Sequence, residues 1–225
     1  MTLGSFREHE GHLLLERAGG AVLFSTRIDV LSDAGADALA RAVGVPLSDW
    51  SQDRQVHGAQ IRVVRSRGQL SPLSGDFDGQ VTDLRGIATM VRTADCVPVG
   101  LLSGDGVGML HAGWRGLAAG VIEAGVAALR EFGGSPIEAA IGPCARVCCY
   151  EVGDEVHAAL APLGDDLRAG RNADLAAAVI AALARSGVAD VHDCGRCTIC
   201  APEGMLWSHR RDGTGSRNAG LAWRS

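Results

Sequence analysis

The chain is 225 residues long, 47% hydrophobic and 21% charged. That composition excludes a disordered chain or a fibrous repeat and suffices for a full hydrophobic core. A formal net charge of −5 argues against a surface made to coat nucleic acid or anionic membrane.

Short β-rich runs fall at 12–16, 21–24, 61–65, 87–91, 97–102, 107–110, 138–142 and 188–193. Helical periodicity alternates with them. One pattern runs from Leu117 to Phe132, carrying Val121, Ile122, Val126 and Leu129 and stopped by Gly133-Gly134. A second starts near Tyr150 and ends before Pro162 or Gly164, and a third follows Asn172 as a cap and runs to Gly187. The expectation is an α/β (α+β) mixed sandwich, one compact domain over residues 1–225 with a mixed sheet and flanking helices. No signal peptide or membrane-length apolar run is recognisable, so a cytoplasmic protein is expected. Its seven cysteines then read as thiols, ligands or a nucleophile rather than disulfides.

All 21 basic residues are arginine and none is lysine. Schiff-base, pyridoxal-phosphate and Walker-type phosphate-loop chemistry are therefore ruled out. Arginine or backbone N–H must hold any bound anion. The aromatic content of 4% leaves few platforms for stacking a base.

Histidine- and cysteine-bearing islands interrupt this Ala/Val/Leu-rich text: QVHG at 55–58, TADCVP at 93–98, HAGWRG at 111–116 and a cysteine-rich tail. His57, Cys96 and His111 each sit at the edge of an apolar run beside Gly, Pro or Asp, where strand ends project side chains into a cleft. Two imidazoles and a thiolate suit zinc with one coordination position left open. The spacing is too wide for a compact ligand motif, so two other readings share these residues: a Cys96 nucleophile with a histidine base, or an unrelated thiol and imidazoles. Asp95 would orient a ligand histidine, donate a proton, or merely cap a turn. In the tail, Cys194, Cys197 and Cys200 form C-x2-C-x2-C, which would hold a structural zinc or an iron–sulfur cluster with a fourth ligand from Cys144, Cys148, Cys149 or His192. Arg210, Arg211 and Arg217, in the Gly/Thr-rich RRDGTGSR, form a candidate anion cradle, as do Arg27 in FSTR and Arg115 at a helix start.

Taken in order, QVHG, TADCVPV, HAGWRG, IGPC with CCYEVG, the Cys197-Thr198 pair and RRDGTG resemble the purine nucleoside phosphorylase family long labelled laccase-like polyphenol oxidase. The resemblance covers residues 21–27 and about 50–217. It implies a compact mixed α/β fold and one zinc held by His57, Cys96 and His111. The implied activity is phosphorolysis of purine nucleosides to free base and ribose 1-phosphate, with adenosine deamination and methylthioadenosine cleavage at the same site. Phosphate is then expected on Arg27, Arg115, Arg210 or Arg211, with Asp95 or water helping the base leave. Nucleoside and phosphate are the expected partners, nucleic acid and membrane are not, and the chain is expected to be a monomer or small homo-oligomer. Competing readings are a copper-dependent phenol oxidase, with copper an opportunistic occupant of the same site; a cysteine or zinc hydrolase acting on an amide of a nucleotide-linked precursor; and a non-catalytic interaction protein. The sequence departs from the family at IDVLSDAGADALARAVG, residues 28–44, expected near the substrate cleft, and at His209, where an aromatic is common.

Overall fold

The computed structural model describes residues 5–70, 73 and 75–225. Two six-stranded mixed sheets dominate it. The first lines up Arg7–His9, His12–Arg17, Gly20–Phe24, Asn218–Trp223, Ala88–Thr93 and Trp50–Ser51, all antiparallel except the last pair. The second lines up Asp190–Asp193, Ile137–Ile141, Val97–Ser103, Val107–Ala112, Gly79–Thr82 and Ile61–Val64, with a parallel pair at each edge.

The sheets face each other, and three apolar layers follow from that. Leu15, Val22, Phe24 and Val91 of the first sheet meet Leu102, Val107, Met109 and Ala140 of the second. Behind the first sheet, helix Asp33–Val43 buries Leu39, Ala42 and Val43 against Leu23, Met90 and Leu221. Behind the second, helices Val121–Arg130 and Leu175–Arg185 pack on Val99, Leu101, Leu110 and Ile141. The result is a four-layer helix–sheet–sheet–helix sandwich, which accords with the mixed α/β expectation.

Central strands covered on both faces lose the alternation that marks a half-exposed strand. Gly79–Thr82 and Asn218–Trp223 are buried along their whole length and contain Gly, Asn and Ala, so no β-rich run betrayed them. Helix boundaries shift for local reasons. The pattern expected over Leu117–Phe132 is two helices, Trp114–Ala118 and Val121–Arg130, broken where Gly120 takes φ +87°. The helix expected from Tyr150 begins only at Asp154, because Tyr150 and Glu151 are held by Ala173 and Asn172 in an extended pairing. Asp174 rather than Asn172 caps the third helix, accepting from Ala177 N–H at 2.9 Å. The 28–44 segment, which carried no helical expectation, folds as helix Asp33–Val43, with Ser32 accepting from Gly35 N–H.

Register places the chemistry. Pro98 lies opposite His111, and Gly79 lies opposite Leu110. Cys96, Asp78 and His111 therefore reach the same end of the second sheet. Arg92, opposite Ala219, and Thr93, opposite Asn218, bring the corresponding end of the first sheet beside them.

The two sheets approach closely at Gly100, where a Cβ would stand 2.5 Å from Val22 Cγ2. Gly100→Val is expected to destabilise the chain by about 1–3 kcal/mol through overpacking, read as a lowered urea midpoint with an unchanged m-value.

Candidate metal and substrate cleft

His57, Cys96 and His111 converge, their ligand atoms all within 4.8 Å of one another. The two imidazole rings meet edge to face with centroids 4.9 Å apart. His57 sits in a turn at φ +60° and Asp95, beside Cys96, at φ +93°, conformations that cost a non-glycine residue energy and persist only where surroundings enforce them. Gly113 of HAGWRG is a steric requirement: a Cβ there would lie 3.0 Å from both Cys96 Sγ and His57 Cδ2.

The group that enforces the His57 turn is Asp78, a fully buried carboxylate that no motif marked. Its oxygens accept backbone N–H from Val56 (3.1 Å), His57 (2.9 Å) and Gly58 (2.7 Å), fixing the turn that carries His57. One of those oxygens also lies 2.8 Å from His111 Nδ1, which leaves His111 Nε2 to face the other two donors. Burial alone would raise the Asp78 pKa, but His111 and the N–H groups of Gly58 and Val56 outweigh it and hold the carboxyl below its usual range. Gln55 completes the turn by pairing its side-chain amide with both backbone groups of Arg92.

Asp95 plays a different part from the one considered for a residue next to a ligand. Its carboxylate reaches no ligand histidine; it accepts from Thr198 Oγ1 at 2.6 Å and from Arg210 N–H at 2.7 Å, so it seats the short helix His209–Asp212.

The three donors open into a cavity of about 540 Å³, within the roughly 300–1,000 Å³ range of small-molecule sites. Arg54, Arg92, Arg115, Arg210 and Arg217 line it, against Asp95 as its one carboxylate. Arg115, Arg210 and Arg217 thus stand where an anion cradle was expected, and Arg54 and Arg92 join them unannounced. Arg92 is partly buried and its pKa is lowered, first by desolvation and then by Arg217. Two guanidinium groups that repel each other at a cavity wall form a site for an anion. Arg27 is exposed and lies outside this lining. Arg211 is also outside it, its guanidinium spent on the carbonyls of Thr198, Ala201 and Leu206 and on Asp212. The 28–44 segment touches the cavity through Leu31, while Asp29 accepts from Arg217 N–H at 3.0 Å and so positions that arginine. Trp114 and Tyr150 supply the cavity's large aromatic faces.

The cysteines of the tail divide. Cys197 and Cys200 join Cys148 and Cys149 in a second donor group, whereas Cys194 packs against the layer between the sheets. The C-x2-C-x2-C run is therefore not a ligand set in itself.

Without metal, Cys96 and His111 behave as an ion pair. Burial opposes the Cys96 thiolate, but the charge and hydrogen bond of His111 prevail, with help from His57, and lower its pKa to about 6. Burial likewise opposes the His111 imidazolium, but Cys96 and Asp78 raise it to about 9. The His111 contribution to stability is complete below pH 6.5 and lost as pH rises through about 9. The Cys96 contribution is complete above pH 9 and lost as pH falls through about 6. The metal-free pair is thus most favourable between those limits.

The chain matches the family model described as multi-copper polyphenol oxidoreductase laccase over residues 33–225. It is 40% identical to a purine nucleoside phosphorylase of Aquifex aeolicus over 146 residues, 65% of this chain and 69% of that one. It is 35% identical to an adenosine deaminase from an unknown prokaryotic organism, covering 71% of this chain and 70% of that one. The crystal structure of YlmD from Geobacillus stearothermophilus superposes with a TM-score of 0.85 at 28% identity, covering 98% of this chain and 99% of that one.

Two outcomes are expected of the site itself. Asp78→Asn weakens zinc affinity by about 10- to 100-fold, measured by competition with a chromogenic chelator. In metal-stripped protein, alkylation of Cys96, followed by peptide mass spectrometry, titrates with a midpoint near pH 6 rather than the 9.0 of an ordinary thiol and is suppressed by zinc.

Proposed function

The chain belongs to the multi-copper polyphenol oxidoreductase laccase family, and from that membership and the make-up of its cleft we propose that it is a zinc-dependent purine nucleoside phosphorylase. The observation that carries the proposal is one cavity combining an open two-histidine, one-cysteine donor set with an arginine-rich wall. That wall stands out in a chain of net charge −5. The relative named purine nucleoside phosphorylase supports the activity.

His57, Cys96 and His111 are the residues that would hold zinc, since their mixed nitrogen and sulfur donors suit it and Asp78 leaves the His111 Nε2 available. Zinc there would supply Lewis-acid chemistry beside the substrate. Arg92 and Arg217 hold phosphate against the ribose anomeric carbon, with Arg115 and Arg210 closing the charge around it. Phosphate attacks that carbon, the glycosidic bond breaks, and the base departs as ribose 1-phosphate forms. Tyr150 and Trp114 flank the base. Both oxygens of Asp95 are engaged by Thr198 and Arg210, so we assign Asp95 to positioning Arg210 and leave protonation of the departing base to water. Adenosine deamination at the same site is a second activity, supported by the relative of that name. The seven cysteines, all free thiols, support a reducing compartment, the cytoplasm. Among the described residues no helix is long and apolar enough to cross a membrane.

The test is phosphate-dependent release of hypoxanthine or adenine from inosine and adenosine by zinc-loaded protein. Cys96→Ala is expected to abolish it. Arg92→Ala and Arg217→Ala are expected to raise the KM for phosphate roughly 10- to 100-fold, the loss of a charge-assisted hydrogen bond, while Arg27→Ala leaves it unchanged. Base release that ignores phosphate, or that persists in Cys96→Ala, contradicts the proposal. Phenol oxidation by copper-loaded protein without base release would favour the oxidase reading instead.

A further inference from the structure

Cys148, Cys149, Cys197 and Cys200 bring four sulfur atoms within 4.8 Å of one another. Cys148 Sγ and Cys200 Sγ are 3.9 Å apart. Four thiolates around one zinc at the usual bond length of about 2.3 Å stand about 3.8 Å apart along the edges of a tetrahedron. A disulfide would need about 2.0 Å. The Cys148–Cys200 pair stands at that edge length, and the 4.8 Å limit on the others lets one ion reach all four.

Backbone geometry prepares this arrangement. Adjacent side chains diverge in extended chain, but Cys148 and Cys149 lie in a turn closed by Cys149 N–H and Tyr150 N–H on the Arg146 carbonyl, both at 2.9 Å. The opposing segment, Cys197-Thr198-Ile199-Cys200, carries the C-x2-C spacing of zinc-binding turns. A short parallel pairing of Cys144 with Cys197 aligns the two segments, with Cys144 N–H on the Arg196 carbonyl at 3.2 Å and Thr198 N–H on the Cys144 carbonyl at 2.9 Å.

We propose that these four cysteines form a second, closed metal centre, separate from the cleft, that holds one zinc ion in a structural role. A set of four thiolates on one centre suits zinc and leaves no position for substrate. Each segment it joins also builds the cleft. Tyr150, next to Cys149, lines the cavity, and Thr198, next to Cys197, donates to Asp95, which seats Arg210. Arg211 adds its own clamp on the carbonyls of Thr198 and Ala201. The ion therefore cross-links two chain segments behind the wall that faces the substrate, and this role holds whether or not the cleft performs phosphorolysis.

The experiment is metal analysis of reduced, zinc-saturated and desalted full-length protein. Wild type is expected to retain two zinc ions per chain, and Cys96→Ala and Cys197→Ser/Cys200→Ser one each. Cobalt-loaded Cys96→Ala should show intense thiolate-to-cobalt charge transfer and tetrahedral visible bands, and chelation of this variant should lower its Tm. Should the double variant fail to fold, wild type and Cys96→Ala decide the matter alone. Retention of one ion by wild type and none by Cys96→Ala overturns the proposal. So does a cobalt spectrum of Cys96→Ala without thiolate charge transfer, or a Cys148–Cys200 disulfide in protein purified with zinc and without reductant.

Discussion

The buried carboxylate of Asp78 is the constraint on which the cleft depends. An ionised group taken out of water is costly unless its lone pairs are filled, and here three backbone N–H groups and an imidazole fill them. Those same four contacts do the organising. The N–H donors pin a turn that His57 would otherwise leave, given its φ of +60°. The imidazole contact sets which His111 nitrogen points at the sulfur of Cys96. Asp78 can act on all of them because strand register seats it beside His111, whose N–H donates to the Asp78 carbonyl at 2.7 Å. One side chain thus carries the geometry of the sheet into the geometry of the donors.

Around that centre the chain concentrates positive charge that its overall composition lacks. Two mechanisms do this. The end of strand Ala88–Thr93 delivers Arg92 and an isolated bridge to Asp76 holds Arg54, while segments tied back by carboxylates deliver Arg210 and Arg217, the first through Asp95 and the second through Asp29. These acids take the backbone N–H groups, while the guanidinium groups donate to carbonyls, Arg210 to Glu151 and Arg217 to Thr214, Gly215 and Ser216, so among the described residues no carboxylate pairs with them at the cavity wall. The two thiol-bearing centres then differ in the way their chemistry demands. The cleft set has three donors and access to solvent. The four-cysteine set is closed on itself and ties down the rim.

Much of this was legible in the sequence, and the limits have physical causes. Apolar β-branched runs such as VPVGLLS mark central strands, and HAGWRG and TADC place a reactive side chain beside glycine or aspartate at a strand end, which raised His111 and Cys96 as candidates, while the resemblance to a known family joined them with His57 as one ligand set. Gly79–Thr82 and Asn218–Trp223 were hidden because burial on both faces erases alternation. Asp78, one acid within GDFDG, has no spacing to its partners and becomes visible only through pairing with the strand that carries His111. Arg92 looked like an ordinary strand residue, and only the antiparallel pairing of Ala88–Thr93 with Asn218–Trp223 brings it near Arg217. Glycine and arginine in RRDGTG did signal a basic wall, but sequence cannot tell which guanidinium lines a cavity and which, like that of Arg211, is paired with Asp212 outside it. Cys194 misled for a related reason: even spacing along the chain says nothing about which way a thiol points.

The most direct test of the central claim is anomalous diffraction at the zinc edge from crystals grown with zinc, phosphate and hypoxanthine. The account predicts an anomalous peak enclosed by His57, Cys96 and His111, with phosphate between Arg92 and Arg217 and the base against Tyr150 or Trp114. Phosphate bound away from that arginine pair, or no metal among those three side chains, would contradict it.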